Sequence, residues 1–423
     1  MIKKINILII ILLVLLFTGC DGITTLKKVF IHQYKDLLLL TSSETIGINE
    51  YTIYGTHFNL KGDLAKIKDN ENNKLVLKSA TREIEFDIIL KDNYFTISEY
   101  INKGVFLENL PIDNYLILLK TINNNDVKYY NLVNETNYQE LEYYTITKNF
   151  KNNRIVINYD NYKDYKYMYL EVKEEKLPEN IYDIVIDPGH GGNDPGATNG
   201  KYKESILNLE YALMVKDALT DLGLKVKLTR ETNETIKTYG HSSRTAITYE
   251  TKAKLMLSLH LNSGTTYNGE GGVEIYIASG DETSFAKYIA DSIVDNTSTV
   301  YSKNNYNRLF NGVYERVYST YDIKDLQETA EENNWEPYDV DDSTTYYYFI
   351  RETGGIMTKA FADGRNPKYE ANPYYNANYG AEAYLVELGY ISNSKNLKIL
   401  LNEKEKYVKA IKESVKYYIE DNK

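Results

Sequence analysis

The chain has 423 residues, more than one ordinary domain needs and enough for two folded units plus a processed segment. Hydrophobic residues make up 43% and charged residues 26%, the balance of a globular chain rather than a disordered one. The formal net charge of -11 argues against nucleic acid as a partner, because phosphate binding needs clustered Lys and Arg.

The first nineteen residues read as a secretory signal peptide. Lys3 and Lys4 precede an apolar run from Ile5 to Phe17 broken only by Asn6, and small residues follow. The run is too short to span a bilayer comfortably. The stretch LLFTGC, ending at Cys20, resembles the lipobox of bacterial lipoproteins. That resemblance implies cleavage after residue 19 and acylation of Cys20. The protein would then be exported and lipid-anchored on the outer face of the bacterial cytoplasmic membrane. An ordinary signal peptide cut elsewhere is the alternative. Cys20 is the only cysteine, so no internal disulfide can form and the thiol has no structural task. Residues 20–35 are expected to be a tether.

From 36 to 175 the pattern is of short strands: DLLLL, YTIYG, KLVLKS, EIEFDIIL, NYLILLKT, RIVINY and YMYLEV, separated by Asn, Asp and Gly. This predicts an all-β, sandwich-like accessory domain of roughly seven antiparallel strands. His57 in this domain and His32 just before it have no metal-ligand spacing. Glycan binding, an unknown protein partner and a spacer role all stay open for it.

The polar stretch KEEKLPEN marks a boundary, and from about 180 to 423 strands alternate with helices. IYDIVID, LKVKLTR and LMLSLH read as strands. KESILNLEYALMVKDALTDLG reads as an amphipathic helix with Ile206, Leu209, Leu213 and Leu222 near one face. RTAITYETKAK is the next helix, AYLVELGYI a late strand, and a last helix runs from about Ser394 to Ile419. The alternation predicts an α/β domain with a largely parallel, twisted sheet. Residues 281–348 are expected to be an inserted segment.

Three apolar strands end in titratable residues: IVIDPGH in His190, LMLSLH in His260 and AYLVE in Glu387. In open α/β sheets the site lies beyond the carboxyl ends of the strands, so these three can converge. Glu204 opens the helix after His190, and the Gly-rich GHGGNDPG allows the sharp turn that would join them. Two His and one carboxylate make a common catalytic zinc set, one ion per domain, with Glu387 left over as a general base. Duller readings exist for each: a loop-bonding His190, a core His260, and a Glu204 that only complements its helix dipole. Glu387 is harder to explain away, since a buried unpaired carboxylate is costly. Asp187 and Asn262 are candidate supports for the ligands. Arg244 and Arg351 are candidates to bind a substrate carboxylate or to pair with local acids.

IVIDPGHGGNDPGA, KES, SLHLNS and YLVELGYISN, in this order, resemble the zinc-dependent N-acetylmuramoyl-L-alanine amidase family of catalytic type three. The resemblance covers roughly the second half of the chain. It implies zinc held by His190, Glu204 and His260, Glu387 as catalytic base, and peptidoglycan as substrate, cut between N-acetylmuramic acid and L-Ala of the stem peptide. Leu261 stands where small residues are usual in the family and is expected to alter the pocket wall. A zinc peptidase acting on wall peptides and a non-catalytic wall-binding lipoprotein remain alternatives. Within 281–348, DIKDLQETAEENNWE is expected to be a short helix. Its Glu328, Glu331 and Glu332 either close over the metal, as an inserted helix does in related amidases, or face solvent.

Overall fold

A computed structural model describes residues 37–420 apart from short stretches, the longest being 359–370 and 265–270. The expected signal peptide and tether, with Cys20 and His32, lie outside the described residues. No helix among the described residues is long and apolar enough to cross a membrane.

From Thr45 to Glu174 the described elements are strands, twelve of them. They join into one bent sheet around a core that includes Ile46, Leu75, Val105, Ile117 and Leu170. The long strand Thr45–Tyr54 serves both parts of the bend. Its first three residues pair in parallel with Asn131–Val133, and Ile48–Tyr54 pairs antiparallel with His57–Gly62. The strand count exceeds the expectation because pieces such as Tyr94–Thr96 and Leu141–Tyr144 are too short to show an alternating pattern. Leu37 and Leu38, expected in a strand, are instead helical, and the Thr41 amide and hydroxyl both donate to the Leu38 carbonyl.

The second half is built on strands β1 (Ile184–Pro188), β2 (Val226–Leu228), β3 (Leu255–Asn262), β4 (Glu274–Ile277), β5 (Arg308–Phe310), β6 (Val313–Glu315) and β7 (Glu382–Tyr390). Their order in the sheet is β2-β1-β3-β7-β4-β6-β5. The four strands β2, β1, β3 and β7 are parallel, whereas β4 runs antiparallel to β7. The sheet is thus mixed, with its parallel part where the site lies. Helices α1 (Glu204–Thr220), α2 (Arg244–Glu250), α3 (Ser284–Asn296), α4 (Thr320–Asn333), α5 (Tyr348–Thr353), α6 (Ser394–Asn402) and α7 (Lys404–Glu420) complete it.

Helix α1 buries Leu207, Tyr211, Ala212, Val215 and Leu219 against this sheet, while Ile206, Leu213 and Leu222 are exposed. The expected apolar stripe therefore lies on the wrong face. The helix carries apolar residues on nearly every side, so apolarity alone does not orient it; Glu204, Ser205 and Asn208 share its buried face. The single long C-terminal helix is divided into α6 and α7 at Glu403.

Residues 281–348 are more than an inserted loop. They supply α3, whose Phe285, Ile289 and Ile293 join the core, and strands β5 and β6 of the sheet. The two halves are also knitted together. Tyr379–Gly380 pairs in parallel with Ile53–Tyr54, the Thr147 amide donates to Asp183, and Ile146 packs in the core of the α/β half.

Candidate active site

The carboxyl end of β1 runs into a loop whose backbone is under strain. His190 has φ 62°, the left-handed region that costs a non-glycine residue of order 1–3 kcal/mol. Two buried arginines hold the loop by its carbonyls. Arg230 donates to Pro188 O (2.9 Å), Gly189 O (2.9 Å) and Ser205 O (2.8 Å). Arg244 donates to Pro188 O, His190 O and the Asp187 carboxylate. Glycine is a space requirement at two points here. A Cβ at Gly189 would overlap the His260 ring, and one at Gly196 would press on Glu204 and His190.

His190, Glu204 and His260 come together from this loop, the first turn of α1 and the end of β3. Their ligand atoms all lie within 4.8 Å of one another, a group that could hold a metal ion. Glu204 Oε1 is 3.1 Å from His190 Nε2 and 3.1 Å from His260 Nδ1. Its Oε2 accepts from the Ala197 amide at 2.9 Å. Burial alone would raise the Glu204 pKa, but the bonds from both imidazoles outweigh it and hold the carboxyl well below the usual range. For His190 burial opposes the charged form, yet Glu204 and Asp194 together leave its pKa raised. A cation would displace the shared protons, so metal uptake should release them. Asp194 Oδ2 lies 2.8 Å from His190 Nδ1, the arrangement that fixes ring orientation in metal-ligating His. The side chains of His190 and His260 keep 26% and 14% of their surface exposed, so the group opens to solvent.

Glu387 stands on β7 directly beside His260 on β3. The residue is half-buried, but its Oε2 is inaccessible and has no hydrogen-bond partner among the described residues. Burial first, then the charges of Glu204 and Glu274, push its pKa well above the ordinary carboxyl range. A raised proton affinity suits a carboxyl to accept a proton.

The remaining candidates sit further back. Asp187 accepts from Thr229 and Ser258 and pairs with Arg244, so both act on the loop. Asn262 donates to Glu274 at 2.8 Å. Arg351 turns into residues 318–346, donating to Thr345 O at 2.7 Å and Tyr346 O at 3.1 Å. Leu261 is buried in the core, so it does not shape the pocket wall; its amide donates to Glu204 Oε1. Helix α4 forms where expected, but Glu328, Glu331 and Glu332 are exposed on it, and Glu328 pairs with Lys324. The site is covered instead by the start of α5. Phe349 stacks parallel to His260 with centroids 6.1 Å apart, and Tyr347 lies edge-on to Tyr276 at 5.1 Å.

Asp194, Arg230, Phe349 and Glu274 do not stand out in the sequence as site residues. Only Glu274 carries a readable signal, a charge inside the apolar run GGVEIYI, the same signal that marks Glu387.

Residues 184–321 match the family model described as N-acetylmuramoyl-L-alanine amidase. This stretch of the chain is similar to that amidase family. The matched stretch reaches through α3, β5 and β6 and ends at the start of α4. A germination-specific N-acetylmuramoyl-L-alanine amidase of Bacillus subtilis is 34% identical over 133 residues, 29% of this chain and 56% of that protein. A sporulation-specific amidase of the same organism is 38% identical over 96 residues, 22% and 35% of the two chains. The chain thus spans about half or less of these relatives. Among solved structures, the catalytic domain of the amidase CwlV from Bacillus (Paenibacillus) polymyxa matches with TM-score 0.36 and 20% identity, over 56% of this chain and 98% of that one.

Proposed function

We propose that this chain is a zinc-dependent hydrolase that cleaves the amide between N-acetylmuramic acid and L-Ala of peptidoglycan, exported and lipid-anchored through Cys20. The observation that carries the reading is the meeting of His190, Glu204 and His260, all within the stretch that matches the amidase family, beside Glu387 on the neighbouring strand. The donor set fits zinc: two imidazoles and one carboxylate, with His190 already backed by Asp194. Zinc held there supplies a Lewis acid that polarises the scissile carbonyl and makes water acidic enough to react near neutral pH.

The protein's own groups do the rest. Glu387 takes the proton of the attacking water and returns it to the leaving nitrogen of L-Ala. Phe349, itself buried, stacks on one side of His260 and backs its ring. The clamped loop keeps His190 fixed, which matters because a ligand misplaced by about one ångström is costly. The test is digestion of purified peptidoglycan by the full-length mature protein, with and without zinc. Fragments with free lactyl groups and free L-Ala amino termini are expected with zinc. Cleavage confined to bonds within the stem peptide would replace the amidase reading with a peptidase one.

A further inference from the structure

Glu274 is a fully buried carboxylate with no part in the hydrolytic chemistry. Four neutral donors close on it. Asn262 Nδ2 (2.8 Å) and the Tyr276 hydroxyl (2.7 Å) reach Oε2, while the Ser302 hydroxyl (2.6 Å) and the Tyr390 hydroxyl (2.6 Å) reach Oε1. A carboxylate offers about four acceptor sites, so this cage is full and the group cannot rotate. Burying a charge is costly unless it is well bonded, and here strands β3, β4 and β7 and the segment after α3 all contribute to bonding one.

The strand register says what that charge faces. Glu274 on β4 is the direct partner of Glu387 on β7, and Glu387 is the direct partner of His260 on β3. Directly opposed residues project from the same face of a sheet, with Cβ atoms about 4.5–5.5 Å apart. His260, Glu387 and Glu274 therefore form one row with Glu387 in the middle. Glu387 Oε2 has no hydrogen-bond partner among the described residues, so no donor there fixes its direction.

We propose that the caged Glu274 is a positioning residue that repels the Glu387 carboxyl toward His260 and so aims it at the reacting centre. The placement stands by itself; the purpose of the aim rests on the amidase reading.

The test is Glu274→Gln in the full-length mature protein, with wild type alongside. The amide removes the repulsion and presents a donor to the unpartnered Glu387 oxygen. A crystal structure of the variant should show the Glu387 carboxyl turned toward position 274. Turnover on muropeptides should fall about tenfold or more while KM and metal content stay within about twofold, a split that a general loss of structure would not give. A Glu387 that has not moved, or a folded variant with normal kcat, overturns the proposal. If Glu274→Gln does not fold, Tyr390→Phe and Ser302→Ala each remove one donor from Oε1 and loosen the cage. Lowered kcat with unchanged KM and metal content supports the proposal there, and normal kcat in both overturns it. Wild type that leaves muropeptides intact refutes the amidase reading alone, because the position of Glu387 in the crystal still decides the role of Glu274.

Discussion

Strand β7 carries a buried carboxyl at its start and a half-buried one further along, and the two are treated in opposite ways. At its start Glu382 is 2% exposed and sits at the junction of the two halves. It accepts from Tyr384 (2.9 Å), Tyr418 (2.9 Å) and Asn102 (3.3 Å), the last reaching across from the β-rich half. Five residues on, Glu387 has an oxygen with no partner among the described residues and opens toward the metal-ligand group. Glu382 meets its burial with hydrogen bonds, whereas Glu387 keeps an oxygen without one. An unsatisfied carboxyl oxygen beside the His190, Glu204 and His260 group is a candidate for proton transfer there, whereas the bonded Glu382 is a structural group.

The largest way to break this contrast is to remove the group that gives the carboxyl end its purpose. His190→Ala or His260→Ala should lose both stoichiometric zinc, measured by elemental analysis, and amidase activity. The loss should exceed the roughly 10–100-fold caused by removing a ligand's supporting partner, which is the effect expected for Asp194→Asn. Full zinc in both His variants would end the ligand assignment. Glu387→Gln comes next. It should retain zinc and fold but lose about 100- to 10,000-fold in kcat, since the base alone is gone. Near-normal turnover would mean that another group moves the proton.

Legibility in the sequence differs between the same two regions. The site's residues are short-range signals: a polar residue closing an apolar strand, a Gly-rich turn, a carboxylate opening a helix. His190, Glu204, His260 and Glu387 can be read that way because each breaks a local pattern. Asp194 and Arg230 cannot, since an Asp before Pro-Gly and an Arg after a strand are what turns ordinarily contain. The junction is also invisible. Strand pairing between Tyr379–Gly380 and Ile53–Tyr54 joins residues more than three hundred positions apart, and no local period encodes that. In the same way α1 displays apolar residues on several sides, so its buried face is settled by the sheet it packs on rather than by its own sequence.

The start of β7 can be probed by pH. Burial raises the Glu382 pKa to about 7, against hydrogen bonds from Tyr384, Tyr418 and Asn102 that pull it down. In the unfolded chain the group ionises in the ordinary carboxyl range, near 4.5. Below that value both states are protonated and burial carries no charge cost. As pH rises from there toward 7 the unfolded state ionises first, so the contribution to stability declines, by about 3 kcal/mol at most. Glu382→Gln mimics the protonated form. Its melting temperature should approach or pass that of wild type as pH rises from about 5.5 to about 8, measured without metal to remove the pH dependence of zinc binding. A difference between the two proteins that is constant with pH would show that Glu382 does not titrate in this window.

The smallest effect is expected from α4, the acidic helix whose carboxylates are the alternative occupants of the open metal position. Its N-terminus is closed by a capping box between Ser319 and Asp322, and Asn334 ends it in the left-handed conformation, so its sequence specifies the helix locally. Ala330 is its one buried residue, which leaves few contacts to tie it to the rest of the fold. Glu328, Glu331 and Glu332 are exposed, and the cover over His260 comes from Phe349 in α5. Replacing residues 322–336 with a short Gly/Ser linker should therefore leave zinc content unchanged and shift activity on soluble muropeptides by no more than about twofold, the scale of a surface change away from the reacting groups. The outcome that reverses this is specific. A gain of about tenfold, worth some 1.4 kcal/mol in the barrier, would mean that the helix spends most of its time over the site, with its carboxylates competing for the metal. Phe349→Ala separates the two covers, because removing the ring should alter KM for muropeptides whether or not α4 gates, whereas only a gating helix makes the linker variant faster than wild type.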